Sequence, residues 1–317
     1  MRVLVFHGYL LRGTGSNIYN ANVARALVAL GHEVHLLCQD RRAAELPFVD
    51  AVADWDGGAL RVETLRRPVR CTAYRPSIGR LLPVYVADAY EGFDARPFVA
   101  TSDDEVERYL AANVAAVREL VERVGPDVAV ANHEVMGPAV LARALGDRVP
   151  YAVKIHGSAL EYTVRPQPER FLPFVHEGLA PARGVLVGSS HMAERLWRML
   201  EDPELPRRTR LGPPGVDIDA FRPRPPGEAA ELVRALAGRL DGSGPSWGGE
   251  PGAAEAVRAI DPTRDRVVSF VGKLIVSKGV DLLAAAWPLV LRRVPDATLV
   301  VVGFGAYRDG FERLLDA

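Results

Sequence analysis

The stretch 269–305, SFVGKLIVSKGVDLLAAAWPLVLRRVPDATLVVVGFG, reads as strand, loop, helix, strand. Val267, Val268, Phe270 and Val271 form an apolar run of the kind that fills a parallel strand covered on both faces, and Gly272 ends it. The apolar positions Val280, Leu283, Trp287 and Leu291 then recur at steps of three and four, which predicts a helix. A second apolar run, Leu299 to Val302, stops at Gly303-Phe304-Gly305. Together they predict a βαβ unit with glycines outside the carboxyl ends of its strands, where open α/β sheets bind ligands. Gly303 and Gly305 are therefore candidate ligand-approach positions.

The loop between the first strand and the helix carries the sharper signal. The chain has 36 arginines but only three lysines, Lys154, Lys273 and Lys278, and two of the three stand five residues apart here. An ammonium is a compact point charge that suits a diphosphate oxygen, whereas guanidinium prefers planar forks. The N-terminus of the following helix adds unpaired N–H groups to the same anion site. Solvated surface lysines are the bland alternative.

At 317 residues, the chain is long enough for about two domains, and 48% apolar with 25% charged residues describes an ordinary globular protein. A formal charge of −1 gives no field that would select nucleic acid. Cys38 and Cys71 are the only cysteines, which points to a reducing, cytoplasmic setting rather than a disulfide framework. No apolar run reaches membrane length, so membrane contact is expected only as peripheral association.

In chain order, Val3 to Phe6 predicts a strand, followed by the loop His7 to Gly15 and a helix capped by Ser16 with Tyr19, Val23, Leu27 and Leu30 on one face. Gly13 and Gly15 imitate a dinucleotide fingerprint with Asp40 as its ribose acid. Ile18 occupies the third glycine position and the loop is too long, so the better reading is a backbone that approaches a ligand closely. Residues 54–97 are rich in Pro, Arg and aromatics, with one strand expected at Leu60 to Leu65; an acceptor-side or membrane-facing surface competes there with a solvated excursion. Ser102 to Glu105 is a capping box before a stripe of Val106, Leu110, Val114, Val117 and Val121. Strands at 127–131 and 151–155 end at Asn132-His133-Glu134 and at His156-Gly157-Ser158. Both histidines therefore fall on the binding edge of a parallel sheet, although a cap or core role is the ordinary alternative for each. Residues 223–262, with GSGPSWGGEPG at their centre, read as a mobile insertion with short helices.

These pieces resemble the retaining GT-B nucleotide-sugar glycosyltransferases of the glycosyl transferase group 1 class. The Gly13 to Ser16 loop before LVALGHEVHLL is similar to the family's first loop. SSHMAERL followed by PPGVDIDAFRP resembles its domain exit, and VGKLIVSKGVDLLAAAW with VVGFG its donor-domain opening. The resemblance implies an α/β, GT-B-like fold of two Rossmann-like, doubly wound domains with mainly parallel sheets. It implies an acceptor-side domain over 1–222, a linker over 223–265 and a partial donor domain over 266–317. By position it makes Lys273 and Lys278 the pair that grips the donor diphosphate. It sets His156 by the donor sugar, Gly13 and Gly15 in the backbone loop near the donor, and Asn132 and His133 toward the acceptor.

The implied activity is transfer of a hexose from a nucleotide-diphosphate sugar to a glycan, lipid or small-molecule hydroxyl. No cofactor is required in this reading, no metal is bound, and the site of action is cytoplasmic, including the inner face of the membrane. Asp54-x-Asp56 and Asp217-x-Asp219 resemble metal signatures but are too short to be specific. The family's paired glutamates later in the donor domain are not found before Ala317, so the expectation is a chain truncated in that domain, with a partner covering its open face. A sugar-nucleotide epimerase or binder on the same scaffold, and a non-catalytic fragment, are the competing classes.

Overall fold

The computed structural model describes residues 1–56, 58–87, 90, 92–242 and 250–316. The chain divides into two compact units, Met1–Gly215 and Val216–Ala317. In the first, the elements in chain order are β1 (Arg2–Phe6), α1 (Gly15–Ala29), β2 (Glu33–Leu37), β3 (Ala51–Asp56), β4 (Ala59–Thr64), β5 (Cys71–Arg75), β6 (Leu81–Val84), β7 (Asp94–Pro97), α2 (Asp103–Val124) and β8 (Val128–Asn132). They continue with α3 (Gly137–Leu145), β9 (Tyr151–Lys154), α4 (Pro168–Leu179), β10 (Gly184–Val187), α5 (Ser190–Leu200), α6 (Leu205–Arg208) and β11 (Thr209–Leu211).

Nine of these strands form one sheet in the order β11-β10-β9-β8-β1-β2-β5-β3-β4, with only the β3–β4 pair antiparallel. β6 and β7 form a separate parallel pair. β1 lies between β2 and β8, so the chain winds outward in both directions from it. That reversal opens a crevice at the carboxyl ends of β1 and β8, and ligands of doubly wound sheets bind in such crevices. Val3 to Phe6 and Val34 to Leu37 are buried because helices cover both sheet faces. The α2 stripe is buried as its spacing predicts. Ser102 accepts from Glu105 N at 3.3 Å while Glu105 accepts from Ser102 N at 2.8 Å, and Gly125 ends the helix at φ 54°.

Several expectations need correction. Thr14, not Ser16, precedes α1, and its side chain makes no capping bond. The buried face of α1 is Asn17, Asn20, Ala21 and Ala24, while Leu30 is exposed. Small and polar residues let the helix sit close over the strand ends and hydrogen-bond there, which an apolar stripe could not do. Residues 54–97 are not a solvated excursion with one strand. Besides β4 they supply β5 and the β6–β7 pair, and β5 is buried between β2 and β3. Its charged end is compensated by a fork from Arg75 to Asp54, with Nε to Oδ1 at 2.6 Å. That same fork occupies the first aspartate of the Asp54-x-Asp56 pair, while Asp56 pairs with Arg61.

The second unit contains α7 (Pro226–Asp241), α8 (Ala253–Arg258), β12 (Arg266–Val271), α9 (Val280–Leu291), β13 (Ala297–Val302) and α10 (Arg308–Leu315). β12 and β13 pair in parallel from Arg266↔Ala297 to Val271↔Val302, the expected βαβ unit. β12 is not covered on both faces, since Val267, Val268 and Val271 are exposed. The core of this unit is a small cluster of Leu274, Val280 and Phe311. The insertion expected at 223–262 contains a sixteen-residue helix rather than only short ones; residues 243–249 at its centre lie outside the described residues. No helix among the described residues is long and apolar enough to cross a membrane.

One helix contact in the first unit sets a sharp test. A Cβ on Gly178 in α4 would meet Pro138 Cβ of α3 at 2.5 Å and Ala139 N at 2.7 Å. In an exposed helix Gly→Ala stabilises by about 1 kcal/mol, but overpacking costs about 1–3 kcal/mol, and here the obstacle is backbone that cannot step aside. Gly178→Ala is expected to lower the melting temperature by several degrees in a calorimetric scan; an unchanged or higher value would refute this packing.

Candidate active site

The crevice at the ends of β1, β8 and β9 holds a cluster of polar side chains. Asn132 ends β8, and its Nδ2 donates to the Phe6 carbonyl of β1 at 3.2 Å. A carbonyl can only accept, so the amide oxygen is turned the other way, where it lies 2.9 Å from His156 Nε2. His156 thus carries its proton on Nε2, and Nδ1 is left as an acceptor. Burial, with Lys154 and His7 nearby, pulls its pKa down to about 3, so the ring is neutral at pH 7. Tyr19 of α1 stands edge-on to this ring at 5.1 Å between centroids. Lys154 donates to the Gly212 carbonyl and lies 5.4 Å over the Tyr19 ring.

His133 follows Asn132 in a left-handed conformation, φ 69°, that turns the chain sharply at the strand end. Its ring packs 4.8 Å from His156 and 4.3 Å from Tyr85 and is 2% exposed. Glu134 is fully buried; one carboxyl oxygen accepts from Gly157 N at 3.2 Å, and burial lifts its pKa to about 7. Gly157, φ 84°, has Met192 Cε 2.4 Å from where a Cβ would stand. His7, at the end of β1, shares its Nε2 between the Leu10 carbonyl at 2.9 Å and Asn17 Oδ1 at 3.0 Å, and burial lowers it to about 4.

His7 Nδ1, both nitrogens of His133 and Glu134 Oε2 are buried with no hydrogen-bond partner among the described residues. Buried polar atoms are nearly always paired, so this concentration makes the crevice the candidate site of the first unit. The glycine loop leads into the same place. Gly13 is in the left-handed region at φ 87°, and open space surrounds the Cβ position of Gly15, the first residue of α1. Asp40 is not a ribose ligand here: its carboxylate accepts from Leu11 N at 3.0 Å and Arg42 N at 2.8 Å and so holds the loop's base.

Asn132, His133 and His156 are thus brought together within the first unit, beside the loop of Gly13 and Gly15. His7, Tyr19 and Glu134 join them without having been selected from the sequence. His7 was recoverable by the argument applied to the other histidines, its place directly after a parallel strand. In the second unit, Lys273 and the glycines Gly303 and Gly305 share one edge. Leu274 N donates to the Phe304 carbonyl at 2.8 Å, and Gly272 N to the Val302 carbonyl at 3.0 Å. A Cβ on Gly303 would lie 2.0 Å from the Gly272 oxygen, and one on Gly305 2.5 Å from the Leu274 oxygen. The close approach these glycines permit is between two loops of the chain itself. Lys278 is exposed at the end of a 3-10 turn, Val276–Lys278, and Gly279 at φ 68° caps the N-terminus of α9. Asp281 in the first turn of α9 brings negative charge to the same end, which weakens the helix contribution to anion binding.

A doubly wound parallel sheet carrying a polar cluster at its switch point is the N-terminal architecture of a GT-B protein. Residues 14–215 match the family model described as the glycosyl transferase 4-like domain, and the chain belongs to that family. The D-inositol 3-phosphate glycosyltransferase of Segniliparus rotundus is 34% identical over 98 residues, 31% of this chain and 16% of that protein. The GDP-mannose-dependent alpha-(1-6)-phosphatidylinositol monomannoside mannosyltransferase of Mycolicibacterium smegmatis is 33% identical over 102 residues, 32% of this chain and 20% of that protein. Among solved structures, sucrose-phosphate synthase from Thermosynechococcus elongatus has a similar fold, with a TM-score of 0.54 at 17% identity over 95% of this chain and 61% of that one. The matched stretches therefore span less than two thirds of each of these proteins.

The buried imidazoles have a pH signature. A histidine whose folded pKa is depressed contributes stability that is present above its ordinary value near 6.5 and lost as pH falls below it. His133 is lowered well below 6.5 by burial and by His156 and His7. Glu134 acts with the opposite sign, its contribution being full below the usual carboxylate range and lost as pH rises through about 7. His133→Asn, which suits the left-handed backbone, should remove one histidine's share. In denaturant unfolding between pH 6 and 5, the slope of stability against pH is expected to fall by about 1.4 kcal/mol per pH unit; an unaltered slope would show that His133 titrates normally.

Proposed function

We propose that this chain belongs to an enzyme that moves a hexose from a nucleotide-diphosphate sugar to an acceptor hydroxyl with retention, in glycan or glycolipid synthesis at the cytoplasmic face of a membrane. The observation that carries this reading is the neutral His156, held by Asn132 in the Nε2–H form within a domain of the glycosyl transferase 4-like family. Its Nδ1 can accept a hydrogen bond from a sugar hydroxyl, and a ring kept uncharged does not repel the positive charge that builds on the sugar. In the second unit, Lys273 and Lys278 are assigned to the donor diphosphate. The loop of Gly13 and Gly15 offers backbone to the donor, and Asn132 and His133 face the acceptor side. Gly303 and Gly305, which let the two loops close together, are assigned to the donor side beside the lysines.

The bond from the anomeric carbon to the diphosphate oxygen breaks, and its electron pair leaves with the nucleoside diphosphate. The acceptor oxygen attacks the same face, and its proton passes to the departing phosphate oxygen. The lysines neutralise the leaving group, so the reading requires no metal. The test is acceptor-dependent release of nucleoside diphosphate from a panel of UDP-, GDP- and ADP-hexoses. His156→Ala and Lys278→Ala are each expected to lower kcat/KM by roughly two to three orders of magnitude, and EDTA to leave the rate unchanged. Release that proceeds equally well without any acceptor would replace the transferase with an epimerase or hydrolase on the same scaffold.

A further inference from the structure

Within the first unit, a second cleft opens at the carboxyl ends of β2, β3 and β5, with a volume of about 400 Å³. Its lining combines Trp55, Pro76, Ile78 and Phe93 with the polar Gln39 and Ser77, and Arg41 stands among them. The other charges that line it cancel: Arg75 and Asp54 are locked in their fork, and Arg75 Nη1 also donates to the Arg41 carbonyl at 3.1 Å. Trp55 is fixed by its indole N–H, which donates to Glu119 at 2.6 Å. Among the described residues the Arg41 guanidinium makes no ion pair. It is held in place all the same, 5.4 Å above the Phe93 ring. Gly92, in the left-handed region at φ 82°, makes room for it, since a Cβ there would lie 3.0 Å from Arg41 Nη1. A fork without an ion pair among the described residues, beside aromatic and apolar side chains, is a constellation for an acid carried on an apolar body.

We propose that this cleft is a binding site for a ligand with a phosphate or carboxylate on a ring or other apolar body, Arg41 taking the acid and Trp55, Pro76, Ile78 and Phe93 the body. On the transferase reading, on which this role alone rests, the ligand is the acceptor. The binding does not depend on turnover.

The probe is phenyl phosphate, titrated into the full chain by calorimetry, with inorganic phosphate and phenol as its separate halves. Phenyl phosphate is expected to saturate and to bind at least tenfold more tightly than either half. Arg41→Ala should weaken it by roughly tenfold, the loss of a charge-assisted hydrogen bond, and Arg41→Lys by less. Arg41 is exposed, so both variants should keep the wild-type melting temperature. Carboxylate against phosphate is resolved by repeating the titration with benzoate, and saturation by either supports the site. Equal binding of inorganic phosphate and phenyl phosphate, meaning an adventitious ion only, would overturn the proposal. So would unchanged binding by Arg41→Ala, or no saturation at all. If the probe binds as expected while no sugar nucleotide is consumed, the transferase reading falls and the cleft stands; the reverse result separates them the other way.

Discussion

One amide holds together the sheet edge that carries the candidate site of the first unit. Asn132 gives its N–H to the backbone of β1 and its oxygen to the ring that follows β9, so the ends of three neighbouring strands are tied through a single side chain. The tie has a direction, because the Phe6 carbonyl cannot donate. That direction fixes which nitrogen of His156 bears the proton and which is left as an acceptor. Gly157 follows at once, in a backbone conformation suited to glycine, and its N–H is taken by Glu134, two residues beyond Asn132. The two loops after β8 and β9 therefore brace each other.

The setting is one of low polarity around polar atoms. His7, His133 and His156 are all kept uncharged by burial, and Lys154 is tied to a carbonyl and covered by Tyr19. Buried polar atoms without partners are costly, about 1–3 kcal/mol each. A fold tolerates several in one place only where the rest of the structure supports them, here the nine-stranded sheet and its helices. Such a site interacts strongly with charge that develops inside it, because no bulk water competes.

Much of this was legible before any coordinates. Parallel strands buried on both faces have a plain apolar signature, so His133 and His156 could be placed just after the carboxyl ends of neighbouring strands from position alone. The capping box and stripe of α2 were equally clear, because local hydrogen bonds and helical spacing are written in adjacent residues. What failed was whatever depended on partners far along the chain. β5 reads CTAYR, and only the distant Asp54 makes its terminal arginine acceptable beside a buried strand. The inner face of α1 is asparagine and alanine, which no apolar periodicity reports. Gly303 and Gly305 were legible as positions of close approach, and the loop after β12 is one partner they approach, which their own neighbours in sequence do not reveal.

The most direct measurement is long-range proton–nitrogen NMR of the histidine side chains across a pH titration, with His156→Gln used to assign the ring. A neutral His156 protonated at Nε2, unchanged from pH 7 down to pH 5, is the result required by the Asn132 bridge and by a pKa of about 3. A ring that titrates near 6.5, or that carries its proton on Nδ1, would contradict the account at its centre.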